Sequence, residues 1–161
     1  MAIDLFHNKK HDRIKVALNE LRRGEGVSQS REDYVKFIYE HSKGLSISNK
    51  IIAQGLKVAP PSVSEMIHKL ANEGLVNYRP YYGADLTKAG EVMAKDLLRK
   101  HKIWEYFLEH KLNYTKTEVH DLAEILEHST PLDLADRLAE FIEYPDSSNA
   151  SVERKLDDGH P

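Results

Sequence analysis

Four side chains able to hold a divalent cation fall within nine residues: His120, Glu124, Glu127 and His128. On a helix, His120, Glu124 and His128 are successive i, i+4 neighbours and Glu127 lies three after Glu124, so all four project from one side. His101 and Glu105 repeat the i, i+4 pairing upstream. A lone histidine in such a pattern would be a solvated surface residue or half of a helix salt bridge; six such groups together point to a cation site. Carboxylate and imidazole without sulfur suit a hard or borderline divalent ion, and the share of oxygen favours Mn2+ over Fe2+. Zn2+, Cd2+ and Co2+ are compatible with the same donors in vitro. Leu122, Ala123, Ile125 and Leu126 show that the ligand-bearing helix also buries one face, where unpaired carboxylates would be costly without a cation.

A second constellation lies upstream. Ser48 to Lys57 and Pro60 to Gly74 read as two short helices separated by Val58 and Ala59, a helix-turn-helix. Small Ala53 permits close approach, Pro60 and Pro61 suit a first helical turn, and Val63, Ile67 and Leu70 form an inward stripe. On the other face, Pro61, Ser62, Ser64 and Glu65 are candidates to reach base edges, with Lys50, Lys69 and Arg79 as backbone contacts. Leu75 to Arg79 alternates like a strand, Tyr81 to Ala84 makes a turn, and Asp85 to Thr87 closes a hairpin, which is the wing of a winged helix-turn-helix.

Other elements must hold these two sets. A helix capped by Ser30, with Glu32 and Asp33 in its first turn and Tyr34, Val35, Phe37, Ile38 and Tyr39 as core, precedes the helix-turn-helix and stops near Gly44. Thr87 caps a long helix running from Lys88 past His110, whose length suits a link between two subdomains. Helices over Lys116 to Glu127 and Leu132 to Tyr144 follow, broken near Pro131. The expected fold is mainly α: an N-terminal winged helix-turn-helix over residues 31–95, then a helical metal-binding and dimerisation domain over 96–145. Residues 1–30 form an extension with a helix over 3–23, and 146–161 a tail.

The 161 residues are enough to bury a core without metal or disulfide staples. With 40% hydrophobic and 30% charged residues the chain has the composition of a soluble globular protein. No apolar run approaches a membrane span, and the N-terminus lacks a secretory pattern. The absence of cysteine fits a cytoplasmic location and excludes disulfides, thiolate zinc sites and a cysteine nucleophile. Charge is polarised, with net +5 over residues 43–102 and net −9 over 103–161, so the middle suits a polyanion and the C-terminal part a cation.

A winged helix followed by a His-x-x-x-Glu helix and a Glu-x-x-Glu-His helix resembles the DtxR/MntR family of metal-dependent transcriptional repressors. The resemblance covers roughly residues 32–145 and is carried by Glu32-Asp-Tyr-Val-Lys-Phe-Ile-Tyr-Glu40, Ala59-Pro-Pro-Ser-Val-Ser-Glu-Met66, Leu86-Thr-Lys-Ala-Gly90, Arg99-Lys-His-Lys-Ile-Trp-Glu105 and His120 to His128. It implies a homodimer that binds a palindromic double-stranded operator when loaded with metal and represses metal-uptake genes. It further implies a primary, activating site of Asp33, Glu124, Glu127 and His128, and an ancillary site of His101, Glu105 and His120. Iron-responsive members carry sulfur ligands where this chain has Asp33 and Glu124, whereas manganese sensors carry oxygen, as here.

The chain departs from part of the family at Lys36, where the binuclear manganese regulators have a glutamate ligand. Streptococcal-type manganese regulators, which use two separated sites, also have lysine there. Many members continue into a C-terminal SH3-like domain, whereas this chain ends sixteen residues after Pro145. Two other classes of function fit some of the residues: a helical carboxylate/histidine metalloenzyme with an open coordination position, and a metal-independent winged-helix regulator of small organic ligands.

Overall fold

The computed structural model describes residues 31–145; the expected helix over 3–23, the Ser30 cap and the tail lie outside them. Six helices and one two-stranded antiparallel sheet follow in the order α1 (Arg31–Ser42), α2 (Asn49–Leu56), α3 (Pro60–Asn72), β1 (Val76–Arg79), β2 (Gly83–Leu86), α4 (Lys88–His110), α5 (Lys116–Ser129) and α6 (Leu132–Phe141).

The first core gathers Tyr34, Val35 and Ile38 of α1, Ile52 and Ala53 of α2, the fully buried Val63, Ile67 and Leu70 of α3, and Val76 and Ala84 of the hairpin. The i, i+4 and i+3 spacing of the α3 trio aligns them on one stripe, so the rest of α3 faces outward. Pro60 and Pro61 occupy the first turn of α3, where a missing N–H costs nothing. Ser48 caps α2 by accepting from Ile51 N, and Lys57 closes it at φ 55°. Gly55 has no room for a side chain, because a Cβ there would lie 2.1 Å from the Phe37 ring.

The hairpin differs from the sequence expectation. Its tight turn is closed by Tyr82 N donating to Arg79 O at 3.1 Å, and Gly83 and Ala84 belong to β2 instead of the turn. Tertiary packing decides this: Ala84 exchanges two backbone hydrogen bonds with Ile47, which draws it into the sheet. Gly83 meets that strap at φ 104°, with Ile47 O only 2.1 Å from where a Cβ would stand, so only glycine fits.

Helix α4 has 23 residues and therefore runs about 35 Å. Thr87 caps it, accepting from Gly90 N at 3.2 Å while donating to Gly74 O at 2.7 Å, which fixes the helix to the end of α3. Its early residue Ala94 belongs to the first core, and Ile103 belongs to a second with Ala135, Ala139 and Ile142. One uninterrupted helix thus joins the two parts. Helix α6 ends at Phe141, three residues short of the expectation, because Glu143 turns to φ 53° and Tyr144 packs its ring on Tyr106. Among the described residues no helix is long and apolar enough to cross a membrane.

Candidate metal centre

Helix α5 lies between α4 on one side and the first turns of α1 on the other, and its carboxylates and imidazoles divide accordingly. Toward α4, His101 Nε2 lies 3.0 Å from Glu105 Oε1, and His120 Nδ1 lies 3.4 Å from the same oxygen. These three residues converge closely enough for one ion. The trio combines buried His101, half-buried Glu105 and exposed His120, so an ion could enter from the His120 side. All three expected ancillary residues are therefore brought together.

The other expected group is held across the two parts of the chain. His128 Nε2 lies 3.0 Å from Asp33 Oδ1 and 3.6 Å from Glu127 Oε1. Glu127 is fully buried, and its two oxygens serve different partners: Oε2 lies 2.5 Å from His101 Nδ1, and Oε1 accepts from Lys36 Nζ at 2.8 Å. Lys36 also donates to Glu124 Oε1 at 3.0 Å. Asp33, Glu124, Glu127 and His128 thus form a linked series, in which Lys36 and His128 supply the cations between carboxylates, but unlike the ancillary three they do not converge on one point, since Lys36 stands between Glu124 and Glu127. Glu124 and Glu127 also converge with His101 as a second possible ligand trio. This trio shares His101 with the ancillary group and Glu124 and Glu127 with the primary one.

A buried carboxylate is tolerated only with opposite charge beside it, and here the charge comes from three directions. Asp33 and Glu32 hold the proton on His128 and raise its pKa to about 9 against the opposing effect of burial. Burial pulls the His101 imidazole down, but the hydrogen bond and charge of Glu127 outweigh it and leave the ring above its usual value. Burial likewise disfavours the Lys36 ammonium, and Glu127 and Glu124 more than restore it. For Glu124, the nearby Lys36 overcomes desolvation and leaves the carboxyl below the usual range. The cluster offers oxygen and nitrogen donors around one fully buried carboxylate whose two oxygens already meet Lys36 and His101, so an ion bound here would replace part of that positive charge. A hard or borderline divalent ion fits this donor set.

Two participants were not legible as such. Glu32 accepts from His128 Nδ1 at 2.6 Å, although its place in a first helical turn suggested only a dipole role. Lys36 was visible as a departure from a ligand pattern, but not as an ion pair with residues 88 and 91 positions away. A signal for it exists, since a lysine flanked by Val35 and Ile38 on a core-facing helix needs a carboxylate partner. Trp104 Nε1 donates to Thr130 Oγ1 at 2.8 Å and Thr130 donates to Leu126 O at 2.5 Å, fixing the end of α5 that carries His128.

The second constellation lies on α2, α3 and the hairpin. Lys50, Pro61, Ser62, Glu65 and Lys69 are exposed, and Ser64 is half-buried. Ser64 Oγ donates to Pro60 O at 3.3 Å and accepts from Asn49 Nδ2 at 3.4 Å, which ties α2 to α3. Arg79 remains 65% exposed but is held by Asp85 Oδ2 at 3.4 Å and Ser46 Oγ at 3.0 Å, and its guanidinium lies over the Tyr82 ring. The wing therefore presents an oriented cation.

Comparison with known proteins matches the two parts in turn. Residues 27–84 match the N-terminal DNA binding domain of the iron dependent repressors, and residues 87–151 match their metal binding and dimerisation domain. The chain belongs to the iron dependent repressor family. Within it, the HTH-type transcriptional regulator MntR of Lysinibacillus sphaericus is 31% identical over 80% of this chain and 91% of its own. The solved structure of the manganese regulator SloR is 46% identical with a TM-score of 0.64, and that of ScaR with bound Zn2+ is 42% identical with a TM-score of 0.65. Each covers 72% of this chain, which spans about half the length of those solved chains (54% and 55%). The fold of this family member is accordingly a winged-helix DNA-binding domain joined to a helical metal-binding and dimerisation domain.

Proposed function

We propose that this chain is a manganese-responsive repressor, active as a homodimer on a palindromic double-stranded operator and controlling metal-uptake genes, with no catalytic activity of its own. The observation that carries the proposal is the reach of Asp33 Oδ1 to His128 Nε2, 3.0 Å across the junction between the two domains. Asp33 sits in the first turn of α1, a helix packed in the core of the DNA-binding part, whereas His128 belongs to the metal-binding part. A divalent cation held by Asp33, Glu124, Glu127 and His128 would supply positive charge that ties α1 to α5. His101, Glu105 and His120 would hold a second, separate ion within the α4–α5 pair.

The chain's own residues do the rest. In the metal-free protein the charged His128 ring and Lys36 already bridge α1 to α5, so the two states share a framework and differ in the strength of the link. A state with domains fixed in one orientation is favoured to the extent that an ion binds it more tightly than the loose state. Lys36 Nζ, lying between Glu124 and Glu127, supports one ion at this position instead of a close pair. Ser62, Ser64, Glu65 and Pro61 would then meet base edges in the major groove, with Lys50, Lys69 and Arg79 on phosphates. Manganese is favoured over iron by the oxygen-rich donors, and the similar proteins SloR and ScaR are described as a manganese regulator and a manganese-activated repressor. Fe2+, Zn2+, Cd2+ and Co2+ suit the same donors in vitro. A DNA-binding regulator of this kind is expected in the cytoplasm.

Selection of duplexes from a random DNA pool by the purified protein tests this, performed in chelator and then in Mn2+. Enrichment of a palindrome with Mn2+ only is the expected result. Enrichment in both conditions would overturn metal gating, and none in either would overturn the DNA-binding role.

A further inference from the structure

His128 has two ring nitrogens, and both face carboxylates of α1. Nδ1 lies 2.6 Å from Glu32 Oε2, while Nε2 lies 3.0 Å from Asp33 Oδ1 and 3.6 Å from Glu127 Oε1. An imidazole gives a metal the lone pair of one nitrogen and carries a proton on the other; in metal sites a carboxylate or carbonyl usually accepts a hydrogen bond from that N–H and fixes the ring. Successive residues on a helix project about 100° apart, so Glu32 and Asp33 cannot serve one nitrogen and instead straddle the ring. The two nitrogens are not equivalent. Nε2 faces the side where Glu127 is linked through Lys36 to Glu124. Nδ1 faces Glu32, whose other side borders a cleft with apolar walls of Ala89, Val92, Met93 and Leu97.

We propose that Glu32 is a positioning residue for the primary site: its carboxylate accepts the hydrogen bond of the His128 Nδ1–H and so presents Nε2 to the space shared with Asp33 and Glu127. This deepens the metal-responsive role proposed above and rests on it. It assigns a function to a side chain outside the expected ligand set. One ring then links α5 to two adjacent residues of α1, so the grip of the sensor on the DNA-binding part depends on Glu32 as well as Asp33.

The test measures Mn2+ dissociation constants for the full chain, Glu32→Gln and Glu32→Ala, together with long-range proton–nitrogen-15 spectra of the His128 ring in the Zn2+-loaded protein. Glu32→Ala is expected to weaken Mn2+ binding about 10- to 100-fold, and Glu32→Gln, which keeps an acceptor oxygen, to recover most of the loss. The spectra should show Zn2+ on Nε2 and a proton on Nδ1. Unchanged affinity in Glu32→Ala, or Zn2+ on Nδ1, would overturn the proposal. Equal loss in both variants would make Glu32 a ligand and also overturn it. If Glu32→Ala fails to fold, Glu32→Gln and the spectrum of the unaltered protein decide. Failure of the unaltered protein to bind Mn2+ or Zn2+ would instead overturn the metal-responsive role itself, a result distinct from normal binding with indifferent variants.

Discussion

The two ligand groups on α5 are built from the same residue types but anchored differently. His101, Glu105 and His120 come from α4 and α5 alone, two helices packed against each other inside one domain. Asp33, Glu124, Glu127 and His128 draw on α1 as well, a helix whose Tyr34, Val35 and Ile38 belong to the core beneath the helix-turn-helix. An ion in the first group would stiffen the α4–α5 pair, whereas only an ion in the second would act directly across the domain junction. Coupling between distant sites needs an element whose arrangement both sites bias, and α1 is placed to be that element. Glu127 then connects the two groups, with one oxygen toward His101 and the other toward Lys36 and His128.

The sharpest way to break this contrast is at Glu127. Glu127→Ala is expected to cost both functions and much of the fold, because it removes the buried carboxylate that Lys36 and His101 share and leaves each with one partly exposed partner, Glu124 or Glu105; loss of one partner of a buried pair costs about 3–5 kcal/mol. A chemical denaturation midpoint equal to that of the unaltered protein would refute the bridging role. Next in size, His128→Ala should keep a folded protein and lose metal-stimulated DNA binding, on the order of 100-fold. His120→Ala, at a side chain 62% exposed, should lower the response far less; a larger loss there than in His128→Ala would reverse the ranking of the two groups.

Proton linkage separates the groups further. His128 has its pKa raised to about 9 by Asp33 and Glu32, so its contribution to stability is fully present below the unfolded value near 6.5 and is lost as pH rises through about 9. The metal-free protein should therefore lose at most about 3 kcal/mol between those pH values from this residue. Thermal melts of His128→Gln should flatten over that window; an undiminished pH dependence would assign the effect elsewhere. The smallest expected effect is on α3. Lys69→Ala should weaken DNA binding across all sequences and reduce the salt slope by about 1, as loss of one phosphate contact does. An unchanged slope would remove Lys69 from the phosphate-contacting set.

The helix-turn-helix was legible because its signals are local: paired prolines at the start of α3, the Val63, Ile67 and Leu70 stripe, and a capping Ser48. The His101 and Glu105 pair was legible for the same reason, through i, i+4 spacing, whereas His120 was joined to it only by the family resemblance. What local patterns do not contain is the partner across the fold. Ala84 enters β2 because Ile47 pairs with it from 37 positions away, and Lys36 and Glu32 acquire their roles only where α1 meets α5. The linear sequence shows a lysine and a first-turn glutamate; packing turns them into an internal cation and a hydrogen-bond acceptor. Charge polarity, by contrast, carried through directly, since the basic segment includes the exposed Lys50 and Lys69 and the acidic one includes the buried Glu127.

The central claim is that metal acts on DNA binding through the link between α1 and α5, and Asp33→Ala tests it most directly. Mn2+ binding and the affinity of a selected duplex should be measured side by side in this variant and in the unaltered protein. Asp33→Ala is expected still to take up Mn2+ at His101, Glu105 and His120 but to lose the Mn2+-dependent gain in DNA affinity. A full gain in DNA affinity in Asp33→Ala would contradict the claim.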